Sequence, residues 1–363
     1  MPSSVPVIRA VGYAGSLQRA VIPAGYLGYI VAYLWGGGGG AGGWDGSGQG
    51  GNGSGSGYAE KTIVVNPGDV ITLAVGEAGD GGTSNINQGG AGMAGASYIG
   101  SGFSYSGAYG GYISGVSNGG SAAGGGGATV LLINGVVQAV AGGGGGGAGA
   151  ASLSTKAITS APGPRGQEPS SHAGENGLPG ALPGGGGGGG YYGGNGGYPT
   201  AGVYSGEGGS YGTSYGDAIA NPTNWQAAGA DNPYYREYAG EAGKGSLGDI
   251  TNGLGGRGRN GAAVILFFGL GGIWVHQSGS FTRVPDTWVK NNGVWSRADS
   301  IYVKQNGSWK SIKDSVGNPP TFAPVAGNWG VDPRGGIPPM GMGMGMGNDP
   351  MGDDSDGDGD DDT

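Results

Sequence analysis

The sequence predicts an all-β protein built around glycine. Short strands alternate with polyglycine-II-like helices, followed by a three-hairpin β repeat and a disordered acidic tail. Three observations lead there. Glycine supplies 97 of 363 residues, far above the roughly 7% of ordinary usage, and its unbroken runs lie between strand-like segments. From Ile273 the chain repeats three times with a period of fourteen. Eight of the 25 acidic residues then crowd into the last fifteen positions.

Composition alone points two ways. Glycine loses the most backbone entropy on folding and brings no side chain to pack. Yet 36% of the residues are hydrophobic, with 8 Trp and 19 Tyr, and unfolded chains are poor in such groups. The order of residues decides. Residues 18–35, QRAVIPAGYLGYIVAYLW, are β-branched and aromatic, and Pro23-Ala24-Gly25 splits them into two strands. WGGGGGAGGWDGSGQGGNGSGSG follows, and then two strands at 62–65 and 70–75 flank the turn Asn66-Pro67-Gly68-Asp69. A glycine run therefore joins strands of one small sheet. The pattern recurs at ATVLLINGVVQAVAGGGGGGAGA, where Asn134-Gly135 marks a hairpin. It recurs again around 184–190 and closes with GRGRNGAAVILFF. No strict Gly-x-y period is present, which excludes collagen.

Glycine runs fit this scheme as extended left-handed helices of three residues per turn, whose backbone groups point outward. Without side chains, several such helices can lie side by side and bond to one another, as buried peptide groups require. A sheet at one end would hold them in register. This glycine-rich β domain is expected over 1–268.

The repeats at 273–314 read IWVHQSGSFTRVPD, TWVKNNGVWSRADS and IYVKQNGSWKSIKD. Each turn ends in glycine, which suits the primed two-residue hairpin turns. That register sets His276 opposite Phe281, Lys290 opposite Trp295 and Lys304 opposite Trp309, with Trp274 beside Arg283 and Trp288 beside Arg297. Trp274, Phe281, Trp288, Trp295, Tyr302 and Trp309 are thus the hairpin-packing candidates, all but Tyr302 in cation–aromatic cross-strand pairs. Such small hairpins need to stack on each other or on partner chains. Residues 315–347 form a Pro/Gly/Met-rich linker in which Phe322 and Trp329 are candidates for docking on a neighbour. Residues 348–363 are the acidic tail.

Several function classes are excluded. The chain holds no cysteine, so disulfides, thiolate metal sites and a thiol nucleophile are out. Its start, MPSSVPVIRAVGYAG, lacks a basic stretch followed by an apolar one, so no signal peptide is expected. The longest apolar run, 262–268, is too short for a membrane-spanning helix, and no membrane insertion is expected. Net charge is −9, but outside the tail 17 acids face 16 Lys and Arg, and no basic stripe suggests nucleic acid. In the tail, Asp354, Asp356 and Asp358 precede Gly359 as in the first half of a calcium loop. The chain stops at Thr363 before the position of the bidentate Glu, so these three are only weak Ca²⁺ candidates and no metal site is assigned. Of two histidines, His172 lies in a polar loop and His276 sits where the other repeats have Lys. The carboxylates Glu207, Asp217, Asp231, Glu237 and Glu241 are scattered on glycine-rich loops. Neither set suggests an enzyme, because catalytic groups need rigid support, and no cofactor is implied. AGKGS around Lys244 fails the phosphate-loop pattern.

The aromatic loops carry the remaining signal. Tyr98, Phe103, Tyr105, Tyr109 and Tyr112 cluster in one stretch, and Trp225, Tyr234 and Tyr235 belong to a second. Tyrosine offers rigid contact area with a polar tip, which makes these eight the receptor-contact candidates. The other role open to them is to cap the glycine helices and supply bulk to a core short of side chains.

The series VIPAGYLGYIVAYLWGGGGGAGG … GYAEKTIVVNPGDVITLAVGEAGDGG … AVAGGGGGGAGA … GRGRNGAAVILFF resembles the glycine-rich domain of bacteriophage tail fibres and receptor-binding adhesins, over about 11–268. The hairpin repeats also resemble segments of phage tail proteins. The resemblance implies a virion protein, a tail fibre or tail-tip component that presents loops for host attachment. It implies other tail proteins and a host-surface glycan or outer-membrane protein as partners, and a symmetric homotrimer is expected of such a fibre. The alternative is a purely structural virion protein, a capsid decoration or tail connector without receptor binding.

Overall fold

A computed structural model describes residues 6–23, 26, 28–43, 50–83, 92–97, 99, 105–112, 120–150, 172–180, 182–199, 206–247, 255–269 and 322–324, together with the backbone of six strands between 273 and 311. The chain divides into two units, Met1–Gly327 and Asn328–Thr363. The second unit lies outside the described residues, and so do the acidic tail, its calcium candidates and Trp329.

The protein is all-β, with mostly antiparallel strands: β1 Val7–Gly12, β2 Gln18–Val21, β3 Gly28–Trp35, β4 Tyr58–Val65, β5 Val70–Ala74, β6 Thr129–Ile133, β7 Val136–Ala141, β8 Ala218–Ala220, β9 Ala262–Gly269, β10 Ile273–Gln277, β11 Ser280–Val284, β12 Trp288–Asn291, β13 Val294–Arg297, β14 Tyr302–Gln305, β15 Ser308–Ser311 and β16 Ala323–Pro324. One five-stranded sheet has the order β1-β9-β3-β4-β8 and another the order β16-β2-β5-β6-β7. Their inner faces share one core, with Ile30, Leu34, Ile265 and Phe267 of the first sheet against Ile71, Leu73 and Leu131 of the second. These apolar side chains recur at every second position, which is the strand period that puts them all on one face.

Turn chemistry sets the registers. Asn134 and Gly135 both have positive φ, 52° and 81°, as the right-twisting hairpin between β6 and β7 requires. The Asn134 side chain accepts from Val70 N (2.8 Å) and donates to Asp69 Oδ1 (2.8 Å). One turn thereby ties down its neighbour at 66–69.

Strands feed straight into extended glycine-rich segments, and those segments hydrogen-bond every third residue. Segment 36–43, which continues β3, shows the pattern. Gly37, Gly40 and Gly43 donate to Gly127, Gly124 and Ser121, while Gly36, Gly39 and Gly42 donate to Gly57, Ser54 and Gly51. Gly38 and Ala41 donate to Arg259 and Gly256. Its carbonyls accept from segments 76–83, 142–150 and 243–247. Six neighbours surround it, and residues 36–43 are all buried. Segments 120–128 and 184–190 likewise bond to six neighbours, and 142–150 lies between them. Where a segment has neighbours all round, no side chain fits. A Cβ at Gly39 would overlap the carbonyl of Gly145, and one at Gly188 the carbonyl of Gly143.

Residues 225–242 form a cap on the outer face of the first sheet. Trp35 is fully buried there against Tyr58 (5.5 Å between ring centroids) and Tyr235 (5.2 Å). The cap contains one π-helical turn, Tyr235–Ala239.

The last six numbered strands before β16 pair as hairpins in the register expected from their turns. His276 lies opposite Phe281, Lys290 opposite Trp295, Lys304 opposite Trp309, Trp274 opposite Arg283 and Trp288 opposite Arg297. Their side chains lie outside the described residues, so the structure says nothing of the packing of Trp274, Phe281, Trp288, Trp295, Tyr302 and Trp309. Within the expected linker, the described residues 322–324 lie against the sheets, and Phe322 is one of the two residues expected to dock on a neighbour. Ala323 and Pro324 pair with Arg19 and Gln18, and Phe322 packs on the core between the sheets. The strand pairing of Ala323 and Pro324 is a contact no local pattern announces.

Candidate recognition surface

The bundle has a strand end and a remote end. Segments 36–43 and 142–150 leave β3 and β7 and run outward, while 120–128 and 255–261 run back into β6 and β9. Among the described residues, the remote end is reached by residues 43, 83, 112 and 247 and left from residues 50, 92, 120 and 255. The intervening residues lie outside the description.

Near that end, edge segments expose aromatic side chains. Tyr109 and Tyr112 are 38% and 42% exposed, Leu178 is 43% and Tyr198 is 60%. They share one side of the bundle: Gly177 N and Gly180 N donate to the carbonyls of Tyr109 and Tyr112, and Leu178 N donates to Gly197. A three-residue period explains why Tyr109 and Tyr112 face alike. Glu175, Asn176 and Glu207 are also exposed in these segments, and Asn176 Oδ1 accepts from Tyr109 N (3.1 Å). No Lys or Arg occurs among the described residues of 105–112, 172–180, 193–198 or 206–214. Among the described residues these segments offer ring faces and hydrogen-bond acceptors, and no cation.

The eight sequence candidates divide. Tyr109 and Tyr112 are surface groups, and Tyr98 and Phe103 lie outside the described residues. Two others are corrected. Tyr105 is 5% exposed and stacks on His172, with centroids 4.4 Å apart and rings within 7° of parallel. Tyr235 is 3% exposed, packs on Trp35 and donates its hydroxyl to Ala242 O (2.8 Å). Both supply bulk beside side-chain-free segments. Burial raises their hydroxyl pKa values, that of Tyr235 to about 12. Trp225 and Tyr234 are half-buried in the cap; Lys244 lies over the Trp225 ring and Tyr234 stacks on Tyr33. His172 is half-buried, stacks on Tyr105 and bonds Tyr191 O through Nδ1 (2.5 Å), so its role here is packing. Leu178 drew no notice in the sequence, because a lone leucine between Gly177 and Pro179 carries no pattern.

The scattered carboxylates have structural partners where partners are seen. Asp217 accepts from Lys61 Nζ (2.5 Å) and Thr62 N (2.9 Å), which hold its carboxyl below the usual range. Glu241 is lowered by Lys244 and then by Arg259. Arg257 bridges Glu77 and Asp80 across two glycine segments. Among the described residues no group of three His, Cys, Asp or Glu could hold a metal ion, and no helix is long and apolar enough to cross a membrane. Neither a protein-family model nor a curated protein sequence matches this chain.

Proposed function

We propose that this chain is a bacteriophage virion protein, a tail-fibre or tail-tip component that presents a recognition surface to the host. In this reading the glycine segments form a polyglycine-II-type bundle, the sheets anchor it, and the hairpin repeats join it to other tail proteins. One observation carries the proposal: Tyr109, Tyr112 and Tyr198 are exposed along one side of the bundle, near the end remote from the sheets. Tyrosine side chains buried on one edge and wet on the other suit a contact surface. Binding here is non-covalent and needs no cofactor, and a homotrimer is the expected assembly.

The test is saturable binding of the labelled full chain to candidate host cells, with infection blocked in parallel. An adhesin binds and competes. Absence of binding, with the chain present in purified particles, would replace this reading with that of a connector or decoration protein. Light scattering tests the assembly, and a clean monomer at micromolar concentration contradicts the trimer.

A further inference from the structure

A second concave site lies away from the exposed tyrosines, where the π-helical turn of the cap meets the free edge of β1. It is a cleft of about 410 Å³. Alanines and glycines form much of its lining, and Tyr13, Tyr238, Glu241, Arg259 and Asn260 supply its aromatic and polar groups. A π turn is an uncommon element that recurs at functional sites, and this one directs Tyr238 and Ala239 to the cleft.

The polar groups are only partly engaged. Glu241 accepts from Lys244 Nζ through Oε1 (3.0 Å) and meets Arg259 Nη2 through Oε2 (3.3 Å). A carboxylate has about four acceptor sites, so each oxygen retains capacity. Arg259, with its side chain 66% exposed, makes this one ion pair among the described residues, which leaves Nε and Nη1 for a ligand. Asn260 Oδ1 accepts from Ala78 N (2.9 Å), which leaves its amide donors. The cleft thus offers both donors and acceptors, and the charges of its two charged lining residues, Glu241 and Arg259, cancel.

We infer that this cleft binds a neutral saccharide of about two residues. A hydroxyl group both accepts from a guanidinium and donates to a carboxylate, so a Glu–Arg pair matches neighbouring sugar hydroxyls. An anion would meet Glu241 and a cation would meet Arg259, each at a cost. Tyrosine faces provide the apolar contact that a pyranose ring's C–H groups seek, and pockets of roughly 300–1,000 Å³ are the usual size for small ligands. This inference does not depend on the adhesin reading, because none of the cleft's residues belongs to the exposed tyrosine side.

Ligand-observed saturation-transfer NMR on the full chain tests it, with maltose and lactose, a uronic-acid disaccharide and a tetrapeptide as probes. The neutral disaccharides should bind, and Tyr238→Ala and Arg259→Met should each weaken them at least about tenfold. Both side chains are substantially exposed, so thermal unfolding should stay at the wild-type temperature. Tyr109→Ala should leave the sugar signal unchanged while reducing host binding, which separates this site from the adhesin surface. Silence from both neutral sugars on the wild-type chain overturns the inference. So does a signal confined to the uronic acid or the peptide, or one unchanged in both cleft variants.

Discussion

Replacing Gly39 by alanine should cost the protein about 3 kcal/mol, although the change adds one methyl group in a segment that already contains Ala41. Gly39 sits in the middle of 36–43, fully enclosed, and its amide donates to Ser54 O (3.0 Å) while its carbonyl accepts from Ser246 N (3.0 Å). A Cβ there would run into the carbonyl of Gly145, far inside the 3.4 Å of ordinary contact. The obstacle is backbone, so no side-chain rotation relieves it. Segments 36–43 and 142–150 must separate, which loosens the bonds from Gly144 to Gly37 (2.8 Å) and from Gly147 to Gly40 (2.9 Å). Overpacking costs ~1–3 kcal/mol and two weakened buried bonds add ~1 each. The stiffer unfolded chain returns only ~0.4–1 kcal/mol. The net corresponds to a drop of about 4 °C in Tm for a unit of this size. Gly12→Ala is the control, since a Cβ there meets nothing within 4 Å. Thermal unfolding followed by circular dichroism reads both variants. If Gly39→Ala melts with Gly12→Ala, the tight backbone packing described above is wrong.

Other outcomes follow from the same geometry. Tyr105→Ala should destabilise by ~3–5 kcal/mol as a buried ring is lost, whereas Tyr109→Ala should change stability by less than ~1 kcal/mol; urea unfolding distinguishes them. The Asp69 carboxyl is held low by Asn66 N and by Asn134, as that of Asp217 is by Lys61. Each stabilises the fold above the ordinary carboxylate pKa near 4 and loses that contribution as pH falls through its lowered folded value. The double variant Asp69→Asn, Asp217→Asn should therefore show a shallower stability loss below pH 4 in an acid titration. At the other extreme, Tyr26 and Tyr235 are pushed up to about 12 by burial. Their contribution is intact below pH 10 and is lost as pH rises through about 12, so alkaline unfolding should begin in that window, and Tyr235→Phe should shift it upward.

The parts of this fold that were legible in the sequence are those where local chemistry and tertiary demand coincide. The unbroken runs at 36–40, 142–147 and 184–190 became interior segments, because a segment bonded to neighbours on every side has no room for side chains. Outer segments such as 76–83 carry Glu77, Asp80 and Thr83 at every third position, a weaker periodicity that the eye passes over. Asn134-Gly135 announced its turn through the need for positive φ, and the fourteen-residue repeat announced the register of its strand pairs. Long-range pairing left no such mark. β1 contains Arg9 in a short run and is defined by its partner β9, and β16 is two residues long and held by β2. The same holds for burial. Tyr105 and Tyr109 lie four residues apart in similar surroundings, and it is contact with distant residues such as His172 that makes one of them interior. The Glu241–Arg259 cleft depends on a contact between separate segments that no spacing predicts.

The central claim is that the glycine-rich region is the ordered interior of the molecule, and amide hydrogen exchange tests it most directly. The amides of 36–43, 120–128, 142–147 and 184–190 should exchange as slowly as those of β3 and β9, because each is bonded to a neighbouring segment. Exchange of those glycine amides at the rate of an unstructured peptide, while the strands stay protected, would contradict it.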